Sequence, residues 1–254
     1  MIEHRHALED LLFRMADDAL IYGHRNSEWT GLAPILEEDI AFSSIAQDKL
    51  GHALALYRML ADMGHAQPDT LAFTRNEREF RCCQLVELPT QDYAVALMRH
   101  ALFDIAEQIR YEMLESSAFR PLAELARKVR GEIKYHVFHA TSWLRMLGSN
   151  GTDESRARMQ AALDMLFPYA LGIFEPSRYD EELSTSGIFP GEAELQHRWL
   201  DEIVPVLENS GYRVPSLDAV EPVYGGRSGY HSEHLGPLLD EMTAVFRLDP
   251  DAEW

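Results

Sequence analysis

Positive charge is scarce in this chain: 23 Lys plus Arg stand against 42 Asp plus Glu over 254 residues, a formal net charge of −19 with histidine neutral. Affinity for nucleic acid rests largely on Lys and Arg neutralising phosphates, and no basic run supplies them here. The same deficit disfavours anionic membrane surfaces. A stretch of about 18 uninterrupted apolar residues is also missing, and the opening MIEHRHALED lacks the basic-then-apolar layout of a secretory leader. The expectation is a cytoplasmic, soluble chain that binds neither nucleic acid nor membrane. Cysteine is limited to the adjacent Cys82 and Cys83, and neighbours rarely satisfy disulfide geometry, so no disulfide framework is expected. Internal repeats and low-complexity tracts are absent as well.

What is present suits a folded protein. With 46% hydrophobic and 26% charged residues, disorder is excluded and a single domain over residues 1–254 is expected. Leu8, Leu11, Leu12, Met15, Ala19 and Tyr22 follow three-and-four spacing, which predicts a first helix from His6 to Tyr22 with Gly23 as its stop. Pro34 and the acidic run Glu37, Glu38, Asp39 predict the start of a second helix reaching Met63. That helix is apolar on nearly every side, so it is either central or covered by a partner. Residues 66–89 lack a sustained period and read as a long crossing connection. A third helix is predicted over 90–118, and a fourth from Pro121 to a stop at Gly148. Four long helices with one long crossing point to a ferritin-like four-helix bundle over about 6–148. The remainder, 149–254, is read as additional C-terminal helices: one capped by Thr152, one over 191–209, an irregular Pro- and Gly-rich stretch over 212–232, and a short helix over 237–246.

A bundle of this type that activates dioxygen usually holds two metals with a Glu from each of two helices and a Glu-x-x-His from each of the others. Residues three apart share a helix face and can reach one ion together. Neither Glu-x-x-His is found. On the second helix Asp48 is followed by Gly51 at the required place and by His52 one residue late; on the fourth, Glu132 is followed by Tyr135 and then His136. Acid and histidine four apart still share a face, and His139 extends the fourth-helix set. The first helix adds Asp18, and the third adds Asp104 and Glu107 beside His100. Asp18, Asp48, His52, Asp104, Glu107, Glu132, His136 and His139 are therefore the candidates for a remnant metal site. Ordinary salt bridges and helix-face pairs account for the same residues.

Other constellations carry less. Gly225-Gly226-Arg227-Ser228-Gly229 has the glycine content of a phosphate loop without its Lys or a preceding strand. In Tyr230-His231-Ser232-Glu233-His234-Leu235, metal-capable side chains coincide with a helix start in which Ser232 would cap and Glu233 would be a first-turn acid. The turn His24–Trp29 is rich in hydrogen-bonding groups and suits turn chemistry or a partner contact. No Ser, Cys or Thr stands in a local nucleophile signature.

Several blocks of residues add a resemblance. Ala16-Asp17-Asp18-Ala19-Leu20-Ile21-Tyr22-Gly23, Ser27-Glu28-Trp29, residues 35–41, Tyr135-His136 ahead of residues 143–148, the block 225–242 and terminal Trp254 are similar to the C-subunit family of the phenylacetyl-CoA epoxidase, a multicomponent ring-oxygenating monooxygenase. The likeness covers nearly the whole chain, and the block 225–242 is its most specific part. It implies a ferritin-like, non-catalytic structural subunit of aerobic phenylacetate degradation with no metal or cofactor of its own. In such a complex the catalytic A subunit holds di-iron, a small B subunit bridges, and a reductase uses NADPH, FAD and an iron-sulfur cluster. The expected partner of this chain is the A subunit, in a hetero-oligomer. His52 and His139 are ligand-capable positions outside the family's pattern. An independent di-metal oxygenase or ferroxidase is the alternative, working with Asp48, His52, Glu132 and His136 at unusual spacing. A helical interaction module of another pathway is a third reading.

Overall fold

In the computed structural model, residues 4–90 and 92–249 are described; Trp254 lies outside them. Ten α-helices, and no strand among the described residues, make the fold: α1 Arg5–Ser27, α2 Leu36–Asp62, α3 Pro68–Phe73, α4 Gln84–Glu87, α5 Tyr93–Leu114, α6 Arg120–Asn150, α7 Asp153–Leu171, α8 Asp180–Thr185, α9 Glu192–Asn209 and α10 Leu235–Thr243. Two compact units share the chain. One comprises Met1–Asp10 with Thr90–Tyr224, the other Leu11–Pro89 with Gly225–Trp254.

In the first unit α5 is buried around nearly its whole circumference and packs on α6, α7 and α9. The Asp92 carboxylate accepts from Val95 N–H at 2.9 Å and starts α5, and Thr152 does the same for α7 by accepting from Ser155 N–H; each satisfies an amide that the first turn leaves without an intrahelical partner. From α9, Trp199 is fully buried, donates its indole N–H to Leu102 O at 3.0 Å, and packs on Phe167 and Phe174. Gly148 does not stop α6, which runs on to Asn150. A Cβ at Gly148 would lie 1.7 Å from Ser210 O, so glycine serves a close backbone approach there rather than a helix end. Pro168 lies inside α7, and its carbonyl accepts from Val223 N–H at 3.0 Å.

The second unit is built differently. Gly23 also fails to end its helix, which continues to Ser27; a Cβ there would meet Leu50 and Ala46 O at 3.2–3.3 Å. The crossing stretch, aperiodic in sequence, holds α3, a short 3-10 turn at Glu77–Glu79 and α4. Pro34 precedes α2 by two residues, and the acidic first turn of that helix stands as expected. On α2, Phe42, Ile45, Leu56, Tyr57 and Leu60 are buried, while Leu36 and Ile40, with Leu32 and Ile35 just before, are exposed. The helix that is apolar all round is thus not a buried axis; that position belongs to α5.

Candidate functional site

Two buried polar clusters stand out, one in each unit. In the first, α5 supplies His100 and Asp104 and α6 supplies His136 and His139, all buried. His100 Nδ1–H donates to Asp104 Oδ2 at 2.6 Å, and His136 Nδ1–H donates to Asp104 Oδ1 at 3.2 Å. With its proton on Nδ1, a neutral His100 presents a lone pair at Nε2, which accepts from His139 Nδ1 at 3.2 Å. Burial pushes the His100 imidazole down to about 4, with His139 and His136 adding to the effect and Asp104 opposing it. Both oxygens of the one central carboxylate are engaged by imidazole.

In the second unit Asp17 and Asp18 are each matched with a guanidinium. Asp17 receives Arg75 Nη2 at 2.6 Å and Nη1 at 3.1 Å, Tyr57 O–H at 2.6 Å and Arg81 N–H at 2.6 Å. The Arg75 guanidinium also lies 4.1 Å from the Phe80 ring centre. Next along α1, Asp18 accepts from Cys83 N–H at 2.8 Å and from Arg227, whose Nη1 and Nη2 each approach one oxygen at 2.8 Å. Arg227 further donates to Arg81 O at 2.9 Å. Glu87, at the end of α4, takes His231 Nδ1–H on Oε1 at 2.6 Å and both Ser232 N–H and O–H on Oε2 at 2.7 Å. Cys82 Sγ sits 3.6 Å from the same Oε1 and 3.9 Å from His231 Nδ1. Burial, reinforced by the Glu87 charge, pushes the Cys82 thiol well up, so it is neutral.

The candidates read from sequence are distributed accordingly. Asp104, His136 and His139 come together, with His100. Glu107 is buried on α5, whereas Glu132 is exposed on α6. Asp18 is held by Arg227 and Cys83. Asp48 is half-buried and His52 buried on α2. The glycine-rich loop turns Arg227 inward to Asp18, and a Cβ at Gly226 would lie 2.2 Å from Cys82 O; its guanidinium is not offered to a phosphate. His234 is the N-cap residue of α10 and Glu233 precedes the helix; the Ser232 hydroxyl donates to Glu87 and accepts from His234 N–H at 3.3 Å.

Sequence reasoning gives no role to Asp17, Tyr57, Arg75 or Glu87. The one signal available is a pair of adjacent acids, Asp17-Asp18, inside an apolar helical run. Among the described residues, the only three His, Cys, Asp or Glu side chains with ligand atoms within 4.8 Å of one another are Cys82, Glu87 and His231.

A family model described as phenylacetic acid catabolic protein matches residues 1–254. The chain belongs to that family. Its members have a ferritin-like helical fold, which the all-α architecture here shares. At 35% identity over 242 residues, covering 95% of this chain and 96% of the relative, it is similar to the C subunit of 1,2-phenylacetyl-CoA epoxidase of Escherichia coli (strain K12). The A subunit of the same epoxidase is 24% identical over 196 residues, 75% of this chain and 62% of that one. The family places the chain in phenylacetate catabolism, and its similarity to two different subunits fits a multisubunit setting. No helix among the described residues is long and apolar enough to cross a membrane.

Proposed function

We propose that this chain is the non-catalytic structural C subunit of a phenylacetyl-CoA epoxidase, acting in the cytoplasm and pairing with a di-iron A subunit. The observation that carries the reading is its end-to-end similarity to a C subunit, at higher identity and coverage than to an A subunit. The polar geometry supports it. Asp104 has both oxygens engaged by histidines, Glu132 is exposed, and Asp18 is neutralised by Arg227. These residues do not suit a carboxylate-held metal pair, which needs acids free to face the ions. In this reading the complex draws on di-iron in the A subunit and on NADPH, FAD and an iron-sulfur cluster in a reductase, with a small B subunit as the remaining member of the assembly.

Apolar side chains exposed on each unit support the pairing. Leu36 and Ile40 on α2 are 68% and 58% exposed, and Leu32 is 73% exposed. On α6, Tyr135, Phe138 and Met146 are exposed as well. Apolar surface of this kind is characteristic of lasting subunit interfaces.

The test is iron content by plasma mass spectrometry on the chain purified alone from iron-replete cells, followed by size-exclusion chromatography with and without the A protein. Iron far below one atom per chain, with co-elution when the A protein is added, is the expected result. About two irons per chain, lost when Asp48 and Glu132 are changed to Ala, would overturn the reading in favour of an oxygen-activating enzyme.

A further inference from the structure

The Cys82–Glu87–His231 cluster has no part in the proposed function, and its ligand atoms all lie within 4.8 Å of one another. Three different ligand types converge from two stretches of chain far apart in sequence. Cys82 precedes α4, Glu87 ends it, and His231 returns from the Gly225–His234 loop. All three side chains are buried, with 2% or less of the His231 and Glu87 side chains exposed.

The separations are close to what zinc requires. Zinc–sulfur bonds of about 2.3 Å and zinc–nitrogen or zinc–oxygen bonds of about 2.0–2.2 Å, arranged tetrahedrally, set ligand atoms about 3.3–3.6 Å apart. Sγ is 3.6 Å from Glu87 Oε1 and 3.9 Å from His231 Nδ1. Only the Oε1–Nδ1 pair, at 2.6 Å, must open, by about 0.8 Å, which small side-chain torsions supply.

The atoms that would not bind metal are already held by other partners. His231 Nε2 faces Phe80 O at 3.2 Å, so an Nε2–H donated there leaves Nδ1 as the ligand. Glu87 Oε2 accepts from both donors of Ser232, which leaves Oε1 directed at the centre. Outer partners of this type, a carbonyl behind the imidazole and donors behind the carboxylate, orient ligands at metal sites.

We propose that Cys82 Sγ, Glu87 Oε1 and His231 Nδ1 bind one zinc ion, with water as fourth ligand, and that the ion fastens the Gly225–His234 loop to the Phe80–Glu87 segment. Thiolate and imidazole together select zinc over calcium or magnesium, and zinc needs no redox partner. Binding releases the Cys82 Sγ proton to solvent and needs the Nδ1 lone pair of His231 turned to the ion, with the ring proton on Nε2 facing Phe80 O.

The experiment uses the full chain, expressed with zinc and freed of loose metal on a desalting column. Zinc is counted by plasma mass spectrometry, separately from iron, and its ligands are read by X-ray absorption at the zinc edge. Close to one zinc per chain with one sulfur neighbour is the expected result. Cys82→Ser should lower retained zinc at least tenfold, Ser232→Ala should weaken affinity by about 10–100-fold, and Cys83→Ser should leave zinc content unchanged. Wild-type zinc no higher than in Cys82→Ser, or an edge spectrum with oxygen and nitrogen neighbours only, would overturn the proposal. The edge spectrum needs no variant to fold.

Discussion

The two buried polar clusters, one in each unit, hold their acids by different means. In the first, one carboxylate, Asp104, is surrounded by imidazoles, and one of them, His100, is held neutral. In the second, Asp17 and Asp18 are each set against a largely buried guanidinium. A buried carboxylate hydrogen-bonded to imidazoles is sensitive to protons, and changing one member leaves a polar group without its partner. A buried ion pair is insensitive to pH near neutrality and fails badly when one partner is removed.

The largest expected effect follows from that asymmetry. Asp18→Ala strands Arg227, whose side chain is fully buried, and should cost about 3–5 kcal/mol in urea unfolding. A loss under about 1 kcal/mol would mean that the pair contributes no more than a surface bridge.

Acid comes next. Burial holds His100 at about 4 against an ordinary 6.5, so between those values the unfolded chain binds a proton that the folded chain refuses. Stability from this group is complete above about pH 6.5 and should fall by roughly 3 kcal/mol as pH drops to 4. Urea midpoints across that range, compared with His100→Gln, measure it; an equal slope in the variant would move the acid sensitivity elsewhere.

Asp104→Asn should have a smaller effect than Asp18→Ala, about 1–3 kcal/mol, because the amide still accepts one imidazole N–H and leaves a second without its acceptor. If the two substitutions cost the same, the contrast between the two clusters is lost.

How much of this is legible in the sequence depends on distance along the chain. The start of α7 can be read directly because Thr152 and Ser155 sit together and capping is local. The ends of α1 and α6 cannot, because Gly23 and Gly148 look like stops. Each is glycine for the sake of a backbone or side chain more than 20 residues away, and no local pattern separates a glycine that ends a helix from one that admits a neighbour. The missing Glu-x-x-His is plain from spacing, and so are the acids and histidines on α5 and α6, though not which of them meet. The role of Asp17 is not, because Arg75 lies 58 residues on. Glu87 is hidden for another reason: it falls in a stretch without periodicity, and its partners arrive from a loop 144 residues later.

That separation matters most for Asp18, whose partner Arg227 is 209 residues downstream. A ribosome adds about 5–20 residues per second, so roughly 10–40 seconds pass between the emergence of the acid and of its cation. All residues of the first unit have been made by then, while Leu11–Pro89 has been waiting for the segment Gly225–Trp254 that belongs with it. During synthesis this early-made segment holds Asp18 and Glu87 without the groups that later neutralise or bind them. A premature stop before Gly225 would leave it permanently without the segment that completes it.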